Sequence, residues 1–298
     1  MGNDRVRLIY VLCKGRSGST LAGLLLGAHP EIANLGEISA LPKWVRNPED
    51  RTCSCERSFL DCPEWTAVRD AYGPDWPEEV ELGADDDATF ARRNLRFFRT
   101  IRDVAGASVL LDKSKKLGRA LRLARIPEID LTVMHVVRDP RAVANSFRQR
   151  GVRKDRTEKL RFSYTKNAVR WAMLNALMPL RLGRHAGYVR VRYEDLVRDP
   201  RGQLQRVLGA AGLDYDPQMD HFGEVVQHGV GGNRMRLTGV REIRPDGKFL
   251  DEVGPREWAV GTALALPTLL AHGYPVRRAE AARRLQQAQR ERTATDAP

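Results

Sequence analysis

No apolar run in the chain approaches the ~20 residues that a membrane-spanning helix needs, so transmembrane architecture is not expected. The stretch MGNDRVRLIYVLCKG has only a short apolar part and no small-residue cleavage site, so it does not read as a secretory leader. Val6 stands where N-myristoylation after Gly2 would need Ser or Thr. The expected compartment is the cytoplasm. Aromatic residues make up only 7% of the chain and no nucleic-acid-binding motif is present. The net charge of +12 is therefore read as attraction for a smaller anion or as a solvated arginine-rich surface, and not as a nucleic-acid face.

Cysteine is scarce as well. Of four cysteines, three fall close together as Cys53-Ser54-Cys55, six residues, then Cys62, and no histidine lies within that stretch. A structural zinc site wants four ligands, commonly in paired spacings. In a cytoplasmic chain, reduced thiols packing a loop are expected ahead of a local disulfide or a metal site. No bound metal is expected.

What the chain does have is an alternation of strand and helix signals, the pattern of a parallel sheet wrapped by helices. Strands are predicted over Arg5–Leu12, Ser108–Leu111, Leu131–Val137 and Tyr188–Val191. Helices are predicted over Leu21–Ala28, Ala88–Val104, Pro140–Gln149, Leu160–Leu182 and Asp195–Ala211. Pro74–Asp87, acidic and rich in Pro and Gly, reads as an exposed connection, and Gly223–Gly247 as a long functional loop. No internal repeat is evident. One α/β domain over residues 1–276 is expected, followed by a polar tail over 277–298 that is frayed or disordered.

The first apolar strand runs into Gly15-Arg16-Ser17-Gly18-Ser19-Thr20, and a helix follows. Backbone N–H groups at such a turn and helix start point at an anion, and the hydroxyls add donors. The loop is not a Walker A motif, because it is shorter between its glycines and carries Arg16 where that motif has lysine. Arg16 with Ser17-Gly18-Ser19-Thr20 resembles the 5′-phosphosulfate loop of sulfotransferases that use 3′-phosphoadenosine 5′-phosphosulfate. The continuation through His29-Pro30-Glu31 to Gly36-Glu37 is similar to the bacterial and tyrosylprotein branches of that family.

A second anion site is readable at Val136-Val137-Arg138-Asp139-Pro140-Arg141 and Ser146. Asp139 suits an N-cap and Pro140 the first helical position. Arg138 then sits at a strand's carboxyl end, with Ser146 ~9 Å along the helix axis from Pro140. Their separation resembles the family's 3′-phosphate motif. The resemblance further implies an adenine contact for Tyr193 in Arg192-Tyr193-Glu194-Asp195-Leu196. It also implies packing of Gly231-Gly232-Asn233-Arg234-Met235-Arg236 over the cofactor's 3′ side, with Arg234 and Arg236 as phosphate contacts.

Sulfuryl transfer resembles phosphoryl transfer in needing positioning, fixed positive charge and a base for the acceptor hydroxyl. Arg16 is the candidate cation for the bridging oxygen, a forked and always charged substitute for the family's commoner lysine. In Leu111-Asp112-Lys113-Ser114-Lys115, either Lys113 or Lys115 approaches the sulfuryl group by resemblance. Glu37 matches the family's general base. His135 lies inside a strand and His29 beside the loop, so neither fits that role better. The competing functions are a kinase using ATP and magnesium, with Asp112 as its nearest metal-holding carboxylate, and a non-catalytic anion-binding module. The acceptor is not written in any motif. A glycan, a lipid-linked hydroxyl or a small hydroxylated molecule all fit, with Pro42–Trp65 and Arg153–Trp171 expected to line its site.

Overall fold

A computed structural model describes residues 5–84, 86–152, 163–237, 242–243 and 245–295. The segment 153–162 and residues 238–241 and 244 lie outside it, so part of the expected acceptor region is not described. Chain order begins β1 (Val6–Leu12), α1 (Ser19–Leu26), β2 (Ile32–Gly36), α2 (Leu41–Arg46), α3 (Pro63–Tyr72), α4 (Trp76–Glu79) and α5 (Asp87–Ala105). It continues with β3 (Val109–Asp112), α6 (Leu117–Leu123), β4 (Ile129–Val137), α7 (Pro140–Val152), α8 (Tyr164–Leu182) and β5 (Tyr188–Arg192). The remainder is helical: α9 (Tyr193–Arg198), α10 (Pro200–Ala210), α11 (Phe249–Glu252), α12 (Pro255–Ala271) and α13 (Arg278–Thr295).

The strands form one all-parallel sheet in the order β2-β3-β1-β4-β5. Both faces are covered, which is why the strands read as near-continuous apolar runs. Alternation still sorts their side chains. Val6, Leu8, Tyr10 and Leu12 of β1 join the core built with α3 and α5, while Ile9 and Val11 join the core built with α1 and α10. Because every strand points the same way, the five carboxyl ends share one edge. The glycine-rich loop leaves central β1, Lys113 follows β3 and Arg138 follows β4. Glu37 and Tyr193 follow the edge strands β2 and β5. That edge is where open α/β sheets bind ligands.

Three expectations change. The helix foreseen over Asp195–Ala211 breaks into α9 and α10 at Asp199-Pro200, where Asp199 adopts φ −130° and caps the second helix through Gly202 N. Proline has no N–H to continue the ladder and disfavours helical geometry in the residue before it. Pro74–Asp87 is not simply exposed, since Trp76, Val80 and Leu82 within it enter the core. The polar tail forms α13 and docks on the body. Ala281 and Ala288 are buried, and Arg284 Nη1 donates to Gly273 O at 2.8 Å.

Candidate active site

At the end of β1 the backbone turns through left-handed geometry at Arg16 (φ 74°) and Gly18 (φ 101°). Glycine is required at the second position for a further reason: a Cβ there would lie 2.4 Å from Tyr193 Cδ2. Left-handed geometry at a non-glycine such as Arg16 is strain of the kind that collects at binding sites. Helix α1 starts at Ser19 with no side-chain cap, so its first N–H groups lack intrahelical partners. Ser17 Oγ is buried and finds no hydrogen-bond partner among the described residues. Half-buried Thr20 completes the helix start. A ring of donors around a glycine-lined turn fits a phosphate or sulfate group.

Beside it, Arg138 is buried at the end of β4. Its Nη2 donates to Asp246 Oδ2 at 2.9 Å, its Nη1 to Arg16 O at 3.3 Å, and its guanidinium lies 4.5 Å from the Tyr193 ring centroid. Tyr193 is therefore packed between Gly18 and Arg138. Burial opposes the charges of both groups, but Tyr193 and then Asp246 hold Arg138 above its ordinary range, and Arg138 holds Asp246 below its own. Asp139 accepts from Arg141 N at 2.8 Å and clamps the buried Arg141 guanidinium, which fixes the start of α7. Farther along α7, Ser146 Oγ accepts from Arg16 Nε at 2.9 Å. The two anion motifs read from the sequence are thus in direct contact.

On the other side of the loop, Glu37 N donates to Val230 O at 2.6 Å, and the Glu37 carboxylate pairs with Lys115 Nζ. Lys115 itself is left-handed at φ 66°. Lys113 lies buried against α1, so close that a Cβ on Gly23 would meet its Cδ at 2.2 Å. Burial pushes the Lys113 amine down to about 8, with Glu37 opposing the shift. The two lysines, indistinguishable in the sequence, thus occupy different settings. Lys115 holds Glu37, and Lys113 is a desolvated amine wedged beside the loop helix.

The glycine-rich segment lies elsewhere than foreseen. Val230 pairs with the end of β2, and Cβ atoms built on Gly231 and Gly232 would meet Glu37 at 3.1 and 3.3 Å. Arg236 Nη2 donates to Thr52 O at 2.8 Å, with its guanidinium 5.8 Å from the Trp44 ring. Arg236 thus lies toward the Glu37 end, where Gly36 (φ 78°) lets residue 230 pair across the edge of β2. Asn233 Oδ1 accepts from Met235 N at 3.4 Å, a local turn. The Arg234 side chain lies outside the described part.

Other residues complete the site without having been foreseen. Asp246 occupies Arg138, and its only prior signal was the length of its loop. Lys14 Nζ donates to Asn167 Oδ1 at 3.1 Å and lies 3.8 Å from the Phe147 ring centroid. Burial, with Arg170 adding, lowers its amine to about 8. His29 and His135 are structural. His29 bonds Asp214 O and Glu31 N, while His135 accepts from Tyr188 OH and donates to Asn175 Oδ1.

A parallel sheet with a glycine-rich loop after its central strand, flanked by a buried arginine at the end of the neighbouring strand, is the architecture of an α/β enzyme of the P-loop-like class. The chain belongs to the Sulfotransferase family, whose profile matches residues 9–217. Human carbohydrate sulfotransferase 6 is 24% identical over 282 residues, spanning 79% of this chain and 71% of its own. Human carbohydrate sulfotransferase 2 is 32% identical over 306 residues, spanning 77% of this chain and 57% of its own. Among solved structures, the sulfotransferase domain from the curacin biosynthetic pathway shares the fold, with a TM-score of 0.58 at 15% identity over 91% of this chain and 99% of that one. The protein is an enzyme that transfers a sulfuryl group.

Proposed function

We propose that the donor is 3′-phosphoadenosine 5′-phosphosulfate and that the acceptor is a hydroxyl group. The observation that carries this reading is the contact between two anion sites, Arg16 Nε on Ser146 Oγ and Arg138 Nη1 on Arg16 O. A nucleotide phosphorylated at both ends needs two such sites at fixed separation. When bound, the donor supplies an electrophilic sulfuryl group on a phosphate leaving group. Ser17, Gly18, Ser19 and Thr20 hold its 5′ side through backbone N–H and hydroxyl donors. Arg138 and Ser146 hold the 3′ phosphate, and Tyr193 flanks the adenosine. Arg16 and Lys113 place positive charge where the leaving oxygen becomes negative. Glu37 takes the acceptor proton at its carboxylate, and Lys115 orients it.

Side-chain cations supply the charge, so the reading includes no magnesium. The rival kinase reading loses its metal carboxylate. Asp112 is fully buried, accepts from Ser114 N at 2.8 Å and pairs with Arg119 Nε at 3.0 Å. No helix among the described residues is long and apolar enough to cross a membrane. A cytoplasmic setting belongs to the reading, and there the free cysteines stay reduced. A glycan hydroxyl is the acceptor class to try first, because the sequence relatives above are named for carbohydrates.

Calorimetry with adenosine 3′,5′-bisphosphate, AMP and ATP-magnesium tests the donor reading. Strong preference for the bisphosphate supports it, whereas equal affinity for AMP removes the second site. Labelled sulfuryl transfer to a panel of sugars, lipids and phenols then identifies the acceptor.

A further inference from the structure

Three cysteines and one histidine converge at a place the transfer reaction does not use. Cys53, Cys55 and Cys62 belong to the loop between α2 and α3, and His228 arrives from the segment just before Gly229. Their four ligand atoms lie within 4.8 Å of one another. Cys55 Sγ and Cys62 Sγ are 3.7 Å apart, and Cys62 Sγ is 3.2 Å from His228 Nδ1. A disulfide would bring two sulfurs to about 2.05 Å. A tetrahedron with metal–sulfur bonds of about 2.3 Å and a metal–nitrogen bond of about 2.05 Å has edges of about 3.8 Å and 3.6 Å. The cluster has the spacing of ligands around a shared centre, and its chemistry of thiolates with imidazole suits zinc over the oxygen-seeking magnesium or calcium.

We propose that Cys53, Cys55, Cys62 and His228 Nδ1 bind one Zn²⁺ in a closed, tetrahedral Cys₃His site. The local chain is shaped for it. Cys53 N donates to Arg57 O at 2.9 Å and Glu56 N to Cys53 O at 3.0 Å, with Glu56 at φ 66°, so the turn brings Cys53 and Cys55 to the same side. Cys53 and Cys62 are buried, and Cys55 and His228 are partly open, which leaves an entry path. Glu64 lines the same shallow cleft as His228, where a carboxylate can fix the ring through its second nitrogen. Thiol protons are released on binding.

Four protein ligands leave no open position, so the metal is structural and takes no part in the transfer step. Its position gives it a defined task. Ser54 N and Oγ both donate to Gly229 O, at 3.2 and 2.9 Å, and Trp65 Nε1 donates to His228 O at 2.6 Å. The next residue, Val230, accepts from Glu37 N. The metal therefore fastens the cysteine loop to the strip of backbone that holds Glu37.

The test is metal analysis of the full chain, purified without a histidine tag or chelator, loaded with zinc and exchanged into zinc-free buffer. One zinc per chain is expected, retained in Cys13→Ser and lost in Cys55→Ser and His228→Ala. Cobalt in place of zinc should give thiolate-to-metal charge-transfer absorption. Should the two ligand variants not fold, titration of the wild-type chain with an organomercurial decides, because one zinc must be released as three thiols react. No zinc retained by the wild-type chain overturns the proposal. So does a Cys55–Cys62 disulfide found by mass spectrometry in protein isolated under reducing cell conditions.

Discussion

Arg16 donates from Nε to Ser146 Oγ at 2.9 Å, joining the loop after β1 to the second turn of α7 across 130 residues of chain. One side chain read as a 5′-side cation and another read as a 3′-phosphate contact thus touch directly. Arg138 strengthens the connection through Arg16 O. The two ends of the proposed donor site are in contact, so a change at one should be felt at the other.

Arg138→Ala should weaken adenosine 3′,5′-bisphosphate binding by roughly 1.5–3 kcal/mol, the usual scale for a hydrogen bond to a charged group. AMP, which lacks the 3′ phosphate, should lose much less. Calorimetry with both nucleotides checks the difference, and an unchanged constant for the bisphosphate would reduce Arg138 to a structural arginine.

Asp246→Asn should act in the opposite direction. Asp246 holds the guanidinium that a 3′ phosphate would take, and removing its charge removes that competition. Bisphosphate affinity should rise about three- to tenfold, an effect near 1 kcal/mol. Weaker binding of the bisphosphate would mean that Asp246 positions Arg138 for the ligand instead of competing with it.

Glu37→Gln keeps size and hydrogen-bonding reach but cannot take a proton. Turnover should fall by about 10²–10⁴-fold, the usual share of general-base catalysis. Bisphosphate affinity should barely move, because Glu37 lies at the β2 end, away from Arg138 and Ser146. Both constants should come from one preparation, and normal turnover would reject Glu37 as the base.

In the role proposed for it, Lys113 should give the reaction an alkaline limit. Burial lowers its pKa to about 8, so in the free enzyme its charge, and the attraction for an anionic donor, is lost as pH rises through that value. A fall in kcat/KM above about pH 8 is expected, with kcat less affected because a bound anion keeps the amine protonated. Lys14 titrates in the same range, so the variants matter. Lys113→Arg should move the limb upward, whereas Lys14→Arg should leave it in place.

His135 sets an acid limit on stability. Burial, opposed by the bond to Asn175, lowers its pKa to about 3, whereas an unfolded histidine titrates near 6.5. The unfolded chain therefore binds the extra proton first. Stability is full above about pH 6.5 and declines toward pH 3, by about 2 kcal/mol from this group at pH 5. Buried His272, also held below its ordinary value, adds in the same direction. Denaturant titrations across this range should show a flatter slope in His135→Gln.

Much of this site was legible because each motif is a contiguous stretch at one strand's end. Ser17 to Thr20, Arg138 with Ser146, and Glu37 could be placed once strands and helices were recognised. What the local pattern does not carry is which ends become neighbours. His228 reaches Cys62 across 166 residues, and Asp246 reaches Arg138 across 108. Those meetings follow from sheet order and from where Gly36 allows the late segment to pair. The same limit hides the meeting of Arg236 with Thr52, 184 residues earlier. In Pro74–Asp87 the acidic, proline-containing frame masked Trp76, Val80 and Leu82, whose burial decides how the segment folds.

The docking of α13 ties the end of the chain to the Arg138 end of the cleft. Gly247 follows Asp246 directly, and its α-carbon lies under Leu285, so closely that a Cβ would meet Leu285 Cδ2 at 2.3 Å. The residue that pairs with Arg138 is thus bonded directly to backbone on which the terminal helix rests. If the proposed donor loosens Asp246, a fluorophore at exposed Gln286 should change its emission on addition of adenosine 3′,5′-bisphosphate, and an unchanged signal would uncouple α13 from the Arg138 end.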